Sequence, residues 1–369
     1  MRKDKRMEIK PHYETYAKIR VVGIGGAGGA AVDRMIASKM KGVEFIAINT
    51  DAQALHFNKA DKKIHIGKSL TKGLGTGMNP DLGRQAVEED QEEVHEVLRG
   101  SDMIFLTCGL GGGTGTGAGP IVASIAKDVG ALCVGVVTKP FSFEGAQRIG
   151  IADKGHGELK DKIDTLITIP NDKILQIIDK NTSLLQAFSK VDDILRQGVQ
   201  GISDLVVVPG IINVDFADVK AIMQGAGSAL MSIGRASGEN RAVEAAKAAI
   251  NSPLLELSID GAKGVLFNVY GGDDLGMHEI DEAAKIITES VDKNAKIIFG
   301  AAKDERMKDE IKITVIATGF ENRAKEEIKE EEKKEARTFG MPFKKQKEEE
   351  KKKEEKELEI PAFIRRKMK

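Results

Sequence analysis

The residues in this sequence that are best suited to chemistry are glycines, which occur in three short runs. The run GIGGAGG (23–29) follows an apolar stretch, GLGTGMNP (73–80) precedes a helix-like segment, and GGGTGTG (111–117) has no side chain larger than threonine. Backbone N–H groups of such turns, added to the positive end of a helix dipole, can surround phosphate oxygens. We interpret the glycines as giving a phosphate access to the backbone, and we expect the helix after the third run to begin near Pro120.

Three glycine runs together predict more than one run would. A single glycine turn is common between a strand and a helix for backbone reasons alone. The first run also fits G-x-G-x-x-G at Gly23, Gly25 and Gly28, with Asp51 after the next strand, so a nicotinamide-dependent oxidoreductase of the Rossmann type is an alternative. A dinucleotide pyrophosphate needs only that first loop, whereas three loops suit a longer phosphate chain. The Walker P-loop pattern is absent from the sequence.

A parallel sheet would bring these loops together. The apolar runs IRVVGIGG, VEFIAINTD, DMIFLTCGL, ALCVGVVTKPF and DTLITIPND alternate with helix-like stretches, which predicts βαβ units whose loops meet at the carboxyl ends of the strands. Apolar residues at helical spacing from Asp172 to about Leu205 predict one short and one long helix. Beyond them, residues 206–320 read as a second α/β or α+β domain.

Composition limits the function further. The formal net charge is −1, and 41% of residues are hydrophobic but only 4% aromatic, with no tryptophan. This balance argues against a nucleic-acid partner and favours an aliphatic α/β core. The charged first residues contain no secretory leader, and no apolar run reaches about 18 residues, so we expect a cytoplasmic protein without direct membrane insertion. Cys108 and Cys133 lie in strand-like runs and should be buried free thiols, and no metal-site spacing occurs.

The last part of the chain differs from the rest. Between Lys325 and Glu357, 24 of 33 residues are charged, which predicts a solvated, disordered linker. The final residues, ELEIPAFIRRKMK, contain apolar side chains again. Because Ile360, Phe363 and Ile364 could be buried in a partner's groove, this end is a candidate partner-binding peptide, although a frayed terminus is the alternative.

Several longer motifs carry a family resemblance. The run GGGTGTG resembles the signature of the tubulin/FtsZ family, and NTDAQAL, GLGTG, FSFEGAQR, LRQGVQGISDL and NVDFADV stand in the order found there. The chain closely resembles the bacterial cell-division GTPases of this family from about Lys18 to Phe320, and EIPAFIRR is similar to their C-terminal peptide. The resemblance implies GTP and GDP as ligands with Mg²⁺, head-to-tail self-assembly into filaments of the division ring, and hydrolysis at the junction between subunits.

The resemblance also implies which residues surround the nucleotide. Those residues come from the glycine loops, the FEGAQR motif and the start of the long helix. They are Gly25, Gly26, Ala27, Gly28, Gly29, Ala30, Asn49, Gly75, Thr76, Gly77, Gly111, Gly112, Gly113, Thr114, Gly115, Thr116, Gly117, Glu144, Arg148, Asn171, Phe188 and Asp192.

The side chains in this set have simpler interpretations too. Glu144 and Arg148 could be a surface i,i+4 ion pair, Phe188 could be a core residue, and Asp192 could be a solvated helix position. The resemblance instead makes the first two contacts of ribose and phosphate, Phe188 the ring that stacks on the base, and Asp192 and Asn171 the contacts that read it. An ionised carboxylate can accept both adjacent N–H donors of guanine, and adenine offers no such pair.

One departure from the family lies after the first glycine loop. The family usually has two asparagines where this chain has Gly29 and Ala30. A side-chain contact near the nucleoside is therefore missing. We expect phosphate binding to survive and base discrimination to depend more heavily on Asp192 and Asn171.

The catalytic candidates lie far along the chain, in NVDFADVKAIM. Asn213, Asp215 and Asp218 match the family's catalytic loop, which serves the nucleotide of the neighbouring subunit. Asp215 could equally be a helix N-cap, with Asp218 in the acidic first turn. A scaffold that binds GTP without turnover is a further alternative, against which these acids argue.

The fold expected overall is α/β, with a parallel Rossmann-like GTPase domain joined by a long central helix to a smaller second domain, as in tubulin. The predicted limits are an N-terminal extension 1–17, a GTP-binding domain 18–182, a connecting helix 183–207, an assembly domain 208–320, a linker 321–357 and a peptide 358–369. The resemblance implies that a membrane adaptor and other division proteins bind this peptide through Ile360, Pro361, Phe363, Ile364 and Arg365.

Overall fold

A computed structural model describes residues 17–320 except 180, 208–209, 211, 213, 254–257 and 305–306. The strands in this part of the chain are β1 Ile19–Ile24, β2 Val43–Asn49, β3 Lys62–His65, β4 Met103–Gly109, β5 Leu132–Lys139, β6 Thr165–Pro170, β7 Gly227–Ser237, β8 Gly264–Gly271, β9 Lys296–Lys303 and β10 Glu310–Thr318. The α helices are α1 Gly25–Ala37, α2 Ala52–Phe57, α3 Lys68–Thr71, α4 Pro80–Glu89, α5 Gln91–Leu98, α6 Gly113–Asp128, α7 Ala146–Lys160, α8 Asn171–Ile174, α9 Leu184–Val207, α10 Phe216–Met223, α11 Arg241–Ile250 and α12 Met277–Glu289.

The strands form one sheet in the order β3-β2-β1-β4-β5-β6-β7-β10-β8-β9. Strands β1 to β6 are parallel, β10 is antiparallel to both β7 and β8, and β9 is parallel to β8. The two halves meet where β6 and β7 pair in parallel over three residues, from Thr165–Gly227 to Ile167–Ala229. The predicted α/β fold is confirmed, and one continuous sheet runs through both halves.

Both faces of the parallel half are covered, which explains its unbroken apolar strands. Along β1, Ile19 and Val21 join a core shared with α1 and α9, whereas Val22 and Ile24 join a core shared with α4, α5 and α6. A third core lies under α11 and α12 in the second half. Cys108 and Cys133 are buried free thiols as predicted, and burial raises the pKa of Cys108 to about 12.

The helix-like segment after β6 contains the short helix α8 and the 24-residue helix α9, as its spacing predicted. At 1.5 Å per residue α9 is about 36 Å long. It starts at the carboxyl edge of the parallel strands. Its last residue, Val207, contacts Gly42, which directly precedes β2 at the amino edge. The helix therefore runs from the carboxyl ends of the parallel strands to their amino ends.

Two sequence expectations differ from the structure. The helix expected to begin near Pro120 begins seven residues earlier, at Gly113, with Pro120 inside it. The short edge strand β3 was not expected, since its four residues, KKIH, have little apolar character.

Some predictions lie outside the described residues. They concern most of the N-terminal extension, Asn213, the linker and the C-terminal peptide with Ile360, Pro361, Phe363, Ile364 and Arg365. The described residues form one compact unit, and the domain limits stay a prediction. Within that part of the chain, no helix combines the length and apolarity that crossing a bilayer would require.

Candidate functional site

The glycine loops meet at one cavity on the carboxyl edge of the parallel strands. Its volume is about 330 Å³, which lies in the range of small-molecule sites. Most of the predicted nucleotide-binding residues line it: Gly25, Gly26, Ala27, Thr76, Gly77, Gly112, Gly113, Thr114, Gly115, Glu144, Arg148, Asn171, Phe188 and Asp192.

The first turn of α6 is built from the glycine run itself. Gly112 is the extended N-cap residue, and the turn that follows presents its backbone N–H groups at the cavity. The seven residues before Pro120, 113–119, are thus helical. The proline costs one helical hydrogen bond, which a 16-residue helix packed on both sides can tolerate.

Two glycines of this run, Gly113 and Gly117, are needed for packing, which the sequence interpretation did not include. A Cβ at Gly113 would lie 2.1 Å from the Thr76 hydroxyl, and one at Gly117 would lie 1.9 Å from the Pro80 carbonyl oxygen. Gly26 differs, because a Cβ there would meet nothing within 4 Å. The close approach of α6 to α4 therefore requires glycine, and open space for a ligand lies beside the first loop.

A cluster of threonine hydroxyls joins the loops behind the cavity. The Thr114 hydroxyl lies 2.9 Å from that of Thr50 and 3.2 Å from that of Thr76, and all three residues are buried. Each comes from a different connection: after β2, before α4 and at the start of α6. Hydrogen bonds between them hold the loops in one arrangement before any ligand binds.

Glu144 and Arg148 form the i,i+4 pair that their spacing predicted, with Arg148 Nη1 3.1 Å from Glu144 Oε2. The pair also lines the cavity, so the two interpretations are compatible. Glu144 Oε1 accepts the N–H of Phe141 at 2.8 Å, which fixes the carboxylate.

Two buried polar atoms at the cavity lack a partner within the described part of the chain. They are Asn171 Oδ1 and Arg148 Nε. An unpaired buried acceptor or donor costs free energy, so such atoms point to a ligand that supplies the missing bonds. One is an acceptor and the other a cationic donor, which fits a ligand with both N–H groups and anionic oxygens.

Phe188 and Asp192 stand one turn apart on α9. The ring of Phe188 is 39% exposed and packs edge-on against Phe141 at 5.5 Å between centroids. The default assignment of this ring to the core is therefore wrong, and a flat ligand could stack on it. Asp192 is not a solvated position either, because its side chain is 14% exposed and pairs with Arg34.

Gly29, Ala30 and Asn49 line a second cavity, of about 200 Å³, that shares Gly25 and Gly26 with the first. Asn58 contributes to it, donating from its side-chain amide to the Gly29 carbonyl at 2.9 Å. The remaining predicted nucleotide contacts, Gly28, Gly75, Gly111, Thr116 and Gly117, line neither of these cavities.

Sequence reasoning missed part of the lining: Ile24, Met78, Gly109, Leu110, Thr138, Pro140, Val191 and Leu195. Val191 and Leu195 lie three and seven residues after Phe188, so the helical period could have placed them on the same face. Thr138 and Pro140 follow from the carboxyl-edge rule applied to β5.

Asp51, the acid that a nicotinamide enzyme would use for ribose, has a structural role. Its side chain accepts the N–H of Ala54 at 2.9 Å and caps α2. The residue does not line either of the two cavities described above.

The acids of the candidate catalytic loop lie away from this cavity. Asp215 is the N-cap of α10, as predicted, and Asp218 lies in its first turn, and both are exposed. The end of α10 contacts Thr165, the first residue of β6, through the Met223 carbonyl. The cavity lies beyond the other end of β6, at Asn171. The helix that carries the acids therefore ends at the amino edge of β6, whereas the cavity lies at its carboxyl edge.

Known proteins resemble this chain over most of its length. A family model described as the GTPase domain of the tubulin/FtsZ family matches residues 18–179, and one described as the C-terminal domain of the FtsZ family matches residues 227–321. An empty FtsZ dimer from M. jannaschii is 48% identical, with 84% of this chain and 90% of that chain covered and a TM-score of 0.80. A tryptophan-to-tyrosine mutant of FtsZ from M. jannaschii is also 48% identical, with 84% of this chain and 93% of that chain covered and a TM-score of 0.81.

A more distant structure shares the fold. It is a GTPγS-bound protofilament of CetZ2 from Haloferax volcanii, at 20% identity with 85% and 99% of the two chains covered and a TM-score of 0.70. The likeness to bacterial members, expected from the motifs, stays a prediction.

Proposed function

The chain belongs to the tubulin/FtsZ family and is a GTPase, and we propose that two subunits together make its hydrolytic site. In this proposal the cavity of one subunit holds GTP, and Asp215 and Asp218 of the next subunit complete the site. Subunits then add head to tail, as the family's polymerising cytoskeletal GTPases do.

The separation of cavity and acids is the observation that carries this proposal. Val207 lies 15 residues beyond Asp192 on α9, which places the end of the helix about 22 Å further along its axis. The loop that carries Asp215 starts from that end. Acids so placed cannot reach a nucleotide in their own subunit, whereas stacking the amino edge of one subunit on the carboxyl edge of another would bring the two parts together.

Within the cavity, the residues divide by chemistry. The N–H groups of Gly112 to Gly115 and the α6 dipole suit the triphosphate, and Arg148 adds a positive charge. Phe188 suits the base as a stacking surface, and Asp192 and Asn171 suit its hydrogen-bonding edge. Gly29 and Ala30 leave the nucleoside without the family's asparagine contacts.

Mg²⁺ would arrive with the triphosphate. Within the described residues no group of three or more His, Cys, Asp or Glu side chains could hold a metal ion. Mg²⁺ bound to nucleotides takes most of its ligands from phosphate oxygens and water, so a cavity that cradles phosphates through the backbone fits it. When bound, the ion neutralises charge on the phosphates, while the residues of this chain position the nucleotide and the attacking water.

The neighbouring subunit's carboxylates would act on that water. An exposed carboxylate in the first turn of α10 can accept a proton or a hydrogen bond from the water that attacks the terminal phosphorus. Asn213 belongs to the same loop and would help to orient it.

Right-angle light scattering of the pure protein with Mg²⁺ tests ligand and assembly together. We expect an increase with GTP, none with GDP or ATP, and decay as GTP is consumed. Scattering that rises equally with ATP would contradict the assignment of the base site. Binding of NADH with an absorbance change would favour the oxidoreductase alternative. In that alternative the Asp51 side chain would have to bind ribose instead of capping α2.

The cellular role proposed is filament formation at the division site, in the cytoplasm, with a membrane adaptor bound to residues 358–369. Deleting these residues should abolish adaptor binding in a co-sedimentation assay while GTP-driven assembly persists. Adaptor binding that survives the deletion would refute the role of Ile360, Pro361, Phe363, Ile364 and Arg365.

A further inference from the structure

Arg34, which no sequence motif singled out, holds the carboxylate expected to read the base. It lies in the last turn of α1, and its Nε donates to Asp192 Oδ2 at 2.5 Å. Its Nη1 donates to the Ser189 hydroxyl at 2.8 Å, on the same face of α9. One guanidinium thus fixes the carboxylate relative to two helices.

The pairing leaves half of the carboxylate available. Asp192 lines the cavity, whereas Arg34 does not. Only Oδ2 is hydrogen-bonded to Arg34, and no residue of the described chain donates to Oδ1. Arg34 therefore lies outside the cavity lining and holds Asp192 so that Oδ1 is left free to accept a hydrogen bond from a ligand.

The charge of Asp192 depends on this arginine. Burial has the largest influence and holds the pKa of the Asp192 carboxyl above its usual range, although the hydrogen bond and positive charge of Arg34 lower it in part. Charged groups on neighbouring elements are engaged elsewhere: Asp33 with the N–H of Lys59, Glu144 with Arg148, Asp172 with Ser142, and Asp193 with Arg196.

The neighbouring position on α1 adds no hydrogen bond to the base. Ala30 lies one turn before Arg34 on the same helical face, and its methyl group offers the base no hydrogen bond. Discrimination between bases at this edge thus depends on the carboxylate and on what holds it.

We propose that Arg34 is a positioning residue that sets the base selectivity of the site, by holding one oxygen of Asp192 and presenting the other, as an ionised acceptor, to a purine that carries adjacent N–H donors. This inference rests on the proposed function, in which the cavity binds GTP. Guanine has such donors at N1 and N2. Adenine presents an acceptor at N1 beside a donor at N6, which an ionised carboxylate cannot match.

Removing Arg34 should change selectivity in a direction that loss of stability would not. Without the arginine the pKa of Asp192 rises, so the ionised form is lost as pH falls through that higher pKa. A protonated carboxyl donates one hydrogen bond and accepts another, which suits adenine. Guanine preference should therefore weaken at low pH and persist at high pH.

The experiment is a competition titration of GTP, ITP and ATP between pH 5.5 and 8. Wild-type protein should prefer GTP to ATP, and this ratio should fall less toward acid pH than in variants that lack the arginine. Arg34→Met should lower that ratio by about ten- to hundredfold at the acid end, the scale of one hydrogen bond to a charged group. ITP, which lacks the N2 amine, should be affected less than GTP.

Three further variants separate charge, hydrogen bonding and folding. Arg34→Gln keeps a donor without charge and should show the same pH-dependent loss, so it decides the matter if the methionine variant does not fold. Arg34→Lys keeps the charge and should keep the pH profile of the wild-type protein. Arg196→Met removes the corresponding cation from Asp193 on the same helix and should leave the ratio unchanged.

An unchanged GTP/ATP ratio across the pH range in both Arg34→Met and Arg34→Gln would overturn the inference. So would a loss of GTP and ATP affinity by equal factors, because it would indicate a structural role only. If the wild-type protein itself shows no preference for GTP, the proposed function fails instead, and the two failures are thereby distinguished.

Discussion

The two edges of the parallel sheet are built in opposite ways. At the carboxyl edge, the loops around the cavity are locked by the hydroxyls of Thr50, Thr76 and Thr114 and by glycine contacts between α4 and α6. At the amino edge, Asp215 and Asp218 are exposed, and Asp215 makes little beyond its cap to Ala217 at 3.3 Å. In the proposed function, a lone subunit therefore carries a preformed binding site and an incomplete catalytic one.

The difference also separates what binding and hydrolysis require. Preorganised loops can hold a triphosphate without help, because their N–H groups are already directed at the cavity. A carboxylate in contact with solvent has no substrate to act on until another surface covers it. Damage to one edge should therefore leave the function of the other intact.

The largest effect is expected from the amino edge. Asp218→Ala should lower turnover by at least about 10²-fold, the usual scale for a group acting on a transferred proton. GTP affinity should stay the same, and filaments should persist longer. Phosphate release and nucleotide binding, measured on one preparation, check both statements.

Glu244→Ala is the matched control, since Glu244 is an exposed acid in the first turn of α11. It should leave turnover unchanged. A comparable loss of turnover in both variants, or a loss of GTP binding in Asp218→Ala, would contradict the assignment of binding to one edge and catalysis to the other.

A smaller effect is expected from Asp192 at the carboxyl edge. Asp192→Asn replaces a carboxylate by an amide, and losing a charge-assisted hydrogen bond should cost about 1.5–3 kcal/mol of GTP binding. The preference for GTP over ATP should shrink accordingly. A competition titration measures both, and unchanged affinity with unchanged selectivity would count against this base contact.

The smallest effect concerns the packing that holds the cavity in shape. Gly117→Ala places a methyl group against the Pro80 carbonyl and should lower the free energy of unfolding by about 1–3 kcal/mol. Gly26→Ala adds the same methyl group where nothing lies within 4 Å and should change stability little. Urea unfolding of the pair decides, and equal stabilities would show that the glycines of α6 are not needed for packing.

Much of the fold was readable from the sequence. Apolar runs predicted β1, β2 and β4 to β6 because strands buried on both faces contain little else, and the spacing after Asp172 predicted α8 and α9. The start of α6 was not predictable from local rules. Glycine is a poor helix former, and only contacts with α4 and the Thr76 loop make seven small residues before Pro120 helical.

The sequence predicted the glycine loops of the site but did not predict the side-chain contacts that hold these loops and Asp192 in place. Glycine runs and motifs identified many of the residues that face the cavity, since these carry local signals. Arg34 and Asp192 are 158 residues apart, and the threonine cluster joins three separate loops. Such contacts depend on how helices and loops pack, which neither spacing nor composition reveals.

The central claim, that one subunit holds GTP and the next supplies the acids, is tested most directly by mixing two inactive variants. Asp218→Ala keeps the cavity and lacks the acid. Gly26→Arg keeps the acid and fills the cavity, because Gly26 lines it and has open space around its Cα. Alone, each variant forms only junctions that lack one part.

Mixed filaments contain a third kind of junction, in which the cavity of the first variant meets Asp218 of the second. In an equal, random mixture about a quarter of the junctions should be of this kind. We predict that phosphate release, near background for each variant, recovers to a corresponding fraction of the wild-type rate on mixing, and that the wild-type rate per subunit collapses on dilution. No recovery, although both variants sediment in the same filaments, would contradict hydrolysis between subunits.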